Sequence, residues 1–179
     1  MNAKNKDIWA ADNRRIMNKA HLLTGGNLGN REENLAKARM LIGQQCGSIS
    51  AISSLYETAA WGKKDQPFFL NQALEIHTEL EPQELLWELL KIETQIGRVR
   101  EEKYGPRIID IDILFFNEEI HNYPLLKIPH PEIQNRRFVL VPLAEIAAEV
   151  VHPVLKKTIA DLLAICPDKL EVCRIGSLN

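Results

Sequence analysis

Apolar residues recur along this chain with two different periods, and the order in which they alternate predicts an α+β fold. Three observations carry the prediction. A strand-like segment at residues 20–24 leads into an amphipathic stretch with Leu35, Ala38, Leu41 and Ile42 on one face. Two more strand-like segments, 48–56 and 69–77, precede a second amphipathic stretch with Leu85, Leu89, Ile92 and Ile96. Residues 108–116 then form a nearly unbroken apolar run rich in branched side chains. Strand, helix, strand, strand, helix, strand is the split β-α-β order of a ferredoxin-like α/β sandwich, a mostly antiparallel sheet with helices packed on it.

The ends of these elements are marked as well. Gly25, Gly26 and Gly29 lie between the first strand and the first helix, where glycine permits tight turning and close approach of backbone to a ligand. The Gly-Lys-Ser/Thr ending of a P-loop is missing, and simple chain reversal explains the glycines equally well. Asn30 with Glu33 makes a capping box, and Gly43 is expected to close the helix. Residues 57–67 form a long loop in which Trp61 suits either a cover over a flat ligand or a ring tucked onto the core. Phe69 and Asn71 share a strand face, which fits an aromatic-and-amide ligand surface or a core residue beside an edge residue.

Pro82 and Gly97 bound the second helix. Glu93 sits beside its apolar stripe near the C-terminal end, where the helix dipole disfavours an acid, so water, a cation or a ligand must hold it. His130 stands between Pro129 and Pro131, a rigid placement suited to phosphate contact, to proton transfer or to structure alone. Residues 139–141 read as a strand, 142–148 as a short helix and 158–165 as another, capped by Thr158.

The strand at 108–116 carries the densest chemistry. Alternation sends Ile109, Ile111, Ile113 and Phe115 to one face and Ile108, Asp110, Asp112 and Leu114 to the other. Two carboxylates on one strand face repel each other, and a divalent cation such as Mg²⁺ is the natural compensation. The solvated face of an edge strand is the competing explanation. Arg98, Arg100, Lys103 and Arg107 precede the acids and form either a phosphate clamp or a solvated charged loop.

Composition narrows the classes. With 179 residues, 45% apolar and 26% charged, the chain is sized for one soluble domain, taken as residues 17–179. Residues 1–16 are polar, lack the apolar stretch of a signal peptide and read as a disordered N-terminal extension. A net charge of −2 argues against general nucleic-acid binding. No apolar run approaches a membrane span, and three cysteines without metal-ligand spacing fit a reducing, cytoplasmic setting. A monomer is expected.

Taken jointly, these segments resemble the 6-hydroxymethyl-7,8-dihydropterin pyrophosphokinase family of folate biosynthesis. The resemblance runs from about residue 19 to 165. It rests on Gly25-Gly26-Asn27-Leu28-Gly29, on Asp65-Gln66-Pro67 with Leu70-Asn71, and on Gly97-Arg98-Val99-Arg100 followed by Gly105-Pro106-Arg107-Ile108-Ile109-Asp110-Ile111-Asp112. Pro129-His130-Pro131 and Asn135-Arg136-Arg137-Phe138 complete it.

The resemblance implies transfer of a pyrophosphoryl group from ATP to the hydroxymethyl oxygen of the pterin, with release of AMP. It implies two Mg²⁺ ions held by Asp110 and Asp112, with Asp112 also accepting a proton and Arg98 and Arg107 steadying charge during transfer. Glu93, Arg98, Arg100, Tyr104, Arg107, His130 and Arg136 match ATP-binding positions. Thr58, Trp61, Phe69, Asn71 and Phe138 match the pterin site, the two phenylalanines as a ring sandwich. Gly26 stands where serine is frequent, Tyr104 where tryptophan is, Phe69 where some members have tyrosine, and Pro131 where an aromatic is common. Leu90 and Leu125 replace residues that are polar or charged in some members. Two rival readings are a catalytically silent nucleotide- or pterin-binding module of the same fold and a metal-dependent phosphoesterase acting through Asp110 and Asp112.

Overall fold

A computed structural model of the chain describes residues 17–60, 66–99 and 105–175. The expected extension at 1–16, and with it Trp61, Arg100 and Tyr104, lies outside the described residues. Strand β1 (Asn18–Gly26) leads to helix α1 (Arg31–Gln45), then β2 (Ser48–Ile52), β3 (Leu55–Thr58) and β4 (Phe69–Thr78). Helix α2 (Pro82–Ile96), strand β5 (Asp110–Phe116) and a small hairpin of β6 (His121–Tyr123) and β7 (Leu126–Ile128) follow. A 3₁₀ turn at Ile133–Asn135 precedes α3 (Arg137–Ala147), α4 (Ile159–Ala164) and β8 (Val172–Ile175).

The main sheet runs β5-β1-β4-β3-β8, with β2 also paired to β4, and its pairings are antiparallel. With β2 and β3 counted as one interrupted strand, this is the expected split β-α-β order. On one face, Leu22, Leu74, Ile111 and Ile113 pack against Leu35, Ala38 and Ile42 of α1 and Leu85, Leu89 and Ile92 of α2, all buried. On the other, Leu23, Ala73 and Phe115 meet Val139, Leu140 and Leu143 of α3 and Ile159 and Leu162 of α4. Each core rests on burial of apolar side chains away from water.

Four expectations change. Residues 139–141 are helical, inside α3, although Val-Leu-Val reads locally as a strand. Val139, Leu140, Leu143 and Ala147 bury one helical stripe against the sheet, and that burial overrides local propensity even with Pro142 inside the helix. Helix α1 does not stop at Gly43 but runs to Gln45, because buried Cys46 extends the stripe of Leu35, Ala38 and Ile42 by one turn. The segment 48–56 is two strands, interrupted where the Ser53 hydroxyl accepts the Ala73 N–H at 2.9 Å in place of a backbone carbonyl. Phe115 lies on the α3 side of the sheet, not with Ile111 and Ile113, because a register shift opposite His21 and Leu22 adds Leu114 to the strand and turns the next residue over. Strand β8, which pairs with β3, was not anticipated.

Candidate active site

Antiparallel pairing brings the C-terminal ends of β1 and β3 to the N-terminal ends of β4 and β5. Gly25 lies opposite both Asn71 and Asp110, and Thr58 lies opposite Phe69. Leu23 faces Asp112, so both aspartates share the α3 side of the sheet, as alternation requires. A cavity of about 110 Å³ opens here, between the sheet and the first turn of α3. Thr58, Phe69, Asn71, Arg107, Asp110, Asp112, Arg136 and Phe138 line it, along with Leu23, Gly25, Ala59 and Gln66.

Two adjacent glycines make the cavity possible. A side chain on Gly25 would come within 2.5 Å of the Asn71 Oδ1, which lies across that position. At Gly26 a Cβ would sit 2.2 Å from the Ile108 carbonyl oxygen, so only glycine lets the 105–108 segment cross so closely. Asn27 then ties three pieces together. Its Oδ1 accepts the Arg107 N–H at 2.8 Å, and its Nδ2 donates to the Pro67 carbonyl at 3.1 Å and to Gln66 Oε1 at 3.3 Å. Its own backbone N–H donates to the Arg107 carbonyl at 2.9 Å.

One half of the cavity is neutral. Asn71 Nδ2 donates to the Thr58 hydroxyl at 3.1 Å, inside the β3–β4 ladder. Phe69 and Phe138 reach the cavity from β4 and from the first turn of α3. The Arg107 guanidinium lies 5.9 Å from the Phe69 ring centre and that of Arg136 lies 5.9 Å from Phe138, within cation–π range. The start of α3 lacks a cap from its own side chains, and the Arg137 N–H donates instead to Asp168 Oδ2 at 3.0 Å. Asp168, some thirty residues downstream, thereby fixes the turn that carries Arg136 and Phe138.

The other half is a chain of alternating charges. Arg98, just past the end of α2, places Nη1 2.6 Å from Glu93 Oε1 and 2.5 Å from Asp110 Oδ1. Arg107 closes the chain by pairing with the second oxygen of Asp110. Glu93 is buried, at 3% exposure, and also accepts the Ile111 N–H at 2.8 Å. Burial pushes its carboxyl up, Arg98 opposes that and Asp110 reinforces it. Burial works against the Arg98 charge, yet Asp110 and Glu93 outweigh it and hold the guanidinium above its usual range. Burial, reinforced by the charge of Asp110 and opposed by Arg136, pushes Asp112 up to about 7. His130 lies outside the cavity lining, its imidazole held below the ordinary range by burial and then by Arg136. Its Nδ1 accepts the Glu132 N–H at 3.2 Å.

Asp110 and Asp112 are the candidate metal ligands. Among the described residues, no group of three or more His, Cys, Asp or Glu side chains is placed to hold a metal. That pair still fits Mg²⁺, which is held through one or two carboxylates while substrate phosphates and water supply the rest. The raised Asp112 carboxyl marks a spot short of positive charge, which a divalent cation would supply.

Eight of the expected site residues therefore meet in one cavity, Glu93 and Arg98 support it from behind, and Leu125 stays at the surface, 73% exposed. Sequence reasoning gave no role to Asn27, Gln66 or Asp168. The Gly-Gly-Asn and Asp-Gln-Pro motifs flagged the first two, whereas nothing in the local sequence points from Asp168 to α3.

Fold and site together define a ferredoxin-like domain with a small-molecule cavity, apolar and amide-lined on one side and charged on the other. The chain belongs to the 7,8-dihydro-6-hydroxymethylpterin-pyrophosphokinase (HPPK) family, whose sequence model matches residues 21–148. It is 41% identical over 141 residues to the 2-amino-4-hydroxy-6-hydroxymethyldihydropteridine pyrophosphokinase of Aquifex aeolicus, covering 79% of this chain and 88% of that protein. The Bacillus subtilis enzyme of the same name is 46% identical over 134 residues, 74% of this chain and 80% of its own. The fold is similar to that of wild-type Plasmodium falciparum HPPK-DHPS, with a TM-score of 0.69 at 21% identity over 83% of this chain. The match spans 44% of that longer chain, so less than half of it is represented here.

Proposed function

We infer that this chain transfers the pyrophosphoryl group of ATP to the hydroxymethyl oxygen of 6-hydroxymethyl-7,8-dihydropterin, giving AMP and the pterin diphosphate of folate biosynthesis. The observation that carries this reading is the joining of a neutral, ring-sized surface and an acid–guanidinium chain in a single cavity. Family membership fixes which ring and which anion.

In this reading Asn71 and Thr58 present hydrogen-bonding groups to the pterin edge, and Phe69 and Phe138 present their faces to the ring. Trp61, outside the described residues, keeps its expected part in pterin binding through the family resemblance. The hydroxymethyl oxygen attacks the β-phosphorus, the bond from β-phosphorus to the α–β bridging oxygen breaks, and AMP leaves with that oxygen. The hydroxyl proton passes to Asp112, whose carboxyl lines the cavity beside Asp110. Arg107 and Arg98 stand beside Asp110 as fixed cations for charge that moves from nucleophile to leaving group. Glu93 enters through Arg98, which it holds in place. Arg136 adds a cation from the start of α3, and the family resemblance supports nucleotide contacts for His130 and for Arg100 and Tyr104, which lie outside the described residues. Two Mg²⁺ ions held by Asp110 and Asp112 would neutralise the triphosphate and align donor with acceptor.

The enzyme works as a cytoplasmic monomer on these two small molecules, without nucleic acid or membrane. The near-neutral charge and three free cysteines support that setting, and among the described residues no helix is long and apolar enough to cross a membrane. The test is product identity by ³¹P NMR, with ATP, Mg²⁺ and the pterin. AMP and a pterin diphosphate in equal amounts are expected; ADP with a pterin monophosphate would overturn the reading.

A further inference from the structure

Strands β3 and β4 reach the cavity at the last rung of their ladder, the Thr58–Phe69 pair. Terminal rungs open most easily, and both members of this one line the cavity. The β3–β4 ladder has no further rung beyond this pair, although Thr58 is also paired with Val172 of β8 on its other side.

Arg31, the first residue of α1, crosses that end. Its Nη1 donates to the Phe68 carbonyl at 2.7 Å and lies 2.7 Å from Glu57 Oε1. Phe68 and Glu57 are the chain neighbours of Phe69 and Thr58, so one guanidinium nitrogen ties the two strands together beside their last rung. The arginine is anchored one turn from Leu35, which is 1% exposed in the core. Arg31 and Glu57 side chains are each 30% exposed, so their ion pair alone adds little, but the charge-assisted bond to the carbonyl acts on backbone directly. Arg31 itself does not line the cavity.

We propose that Arg31 is a positioning residue for the ring substrate: it clamps the ends of β3 and β4 so that Thr58 and Phe69 are held ready for the pterin. This rests on the function given above for the identity of the ring. The nucleotide side hangs from α2, β5 and α3, which Arg31 does not bridge, so the clamp acts on one substrate and not on the other.

The test compares wild type, R31A and R31K by steady-state kinetics and by amide hydrogen exchange. A lysine ammonium has donors for both the carbonyl and the carboxylate but lacks the guanidinium's rigid fork, so R31K keeps part of the clamp. R31A is expected to raise KM for 6-hydroxymethyl-7,8-dihydropterin about tenfold, with kcat and KM for ATP within about twofold of wild type. Its amides in 57–60 and 68–70 exchange about tenfold faster. R31K returns both readouts toward wild type. Unchanged exchange in R31A, an equal rise in both KM values, or failure of R31K to restore either readout would overturn the proposal. Should wild type release no AMP in response to pterin, the assigned reaction falls, and exchange alone decides the clamp: faster in R31A and restored in R31K upholds it, no difference overturns it.

Discussion

The two sides of the cavity are built by different physics. The neutral side is an extension of the sheet: Asn71 and Thr58 bond to each other within a backbone ladder, over a floor left open by Gly25. It is set by folding and has little to rearrange when a ring arrives. On the charged side the backbone is framed as well, Asp110 by its pairing with Gly25 and Glu93 by α2, but the side chains are held by one another. Glu93, Arg98, Asp110 and Arg107 hold one another in sequence, each ion compensated by the next. Buried charges without partners are expensive, so these pairs are what permits the cluster in the absence of ligand. In the proposed reaction, an incoming polyphosphate or cation would exchange one set of partners for another. Preorganisation on one side and exchangeable pairing on the other suit a site that recognises a rigid ring and moves a charged group.

Substitutions on the two sides should therefore fail in different ways. The largest effect is expected from D110A and D112A, which remove the carboxylates proposed for metal and proton: turnover falls about 10³-fold or more while the fold persists, as checked by AMP release and circular dichroism. Next, R107A lowers kcat about 100-fold with a smaller change in ATP affinity, read from single-turnover rates and nucleotide titration. N71A gives the opposite pattern, raising KM for the pterin about tenfold or more with kcat less affected. If R107A and N71A alter the same parameter by the same factor, the division between the sides is wrong.

G26A tests the junction between them. A methyl 2.2 Å from the Ile108 carbonyl forces the 105–108 segment outward, costing about 1–3 kcal/mol of stability measured by denaturant unfolding.

The smallest effect concerns pH. His130 is held below its ordinary value by burial and then by Arg136, so the unfolded chain binds its proton more readily than the native one. That contribution to stability is complete above the unfolded value of 6.5 and is lost as pH falls below it. H130Q should flatten the decline in Tm below pH 6.5, to the extent that buried His21 and His152, also lowered, leave a slope of their own.

Much of this was legible in the chain. The strand carrying Asp110 and Asp112 combined branched residues with a two-residue period, and both acids came out on one face. The order of periods gave the sheet, and the motifs jointly pointed to the cavity. What stayed hidden depends on contacts between distant segments. Val139–Leu140–Val141 carries strand propensity, and only burial against Leu23 and Phe115 makes it helical. Phe115 changed sides because of an irregularity in pairing with β1, which the sequence of β5 does not encode. Asp168, Arg31 and Asn27 act by bonding to backbone groups far along the chain, and such bonds leave no periodic trace.

The central claim is that both sides of one cavity serve a single transfer. Single-turnover release of AMP from ATP and Mg²⁺, with and without 6-hydroxymethyl-7,8-dihydropterin, tests it most directly. AMP formed only when the pterin is present, with the charged side acting on a nucleophile seated by the neutral side, is the predicted result. Nucleotide cleavage at the same rate without the pterin would contradict it, because the charged side would then be acting on water alone.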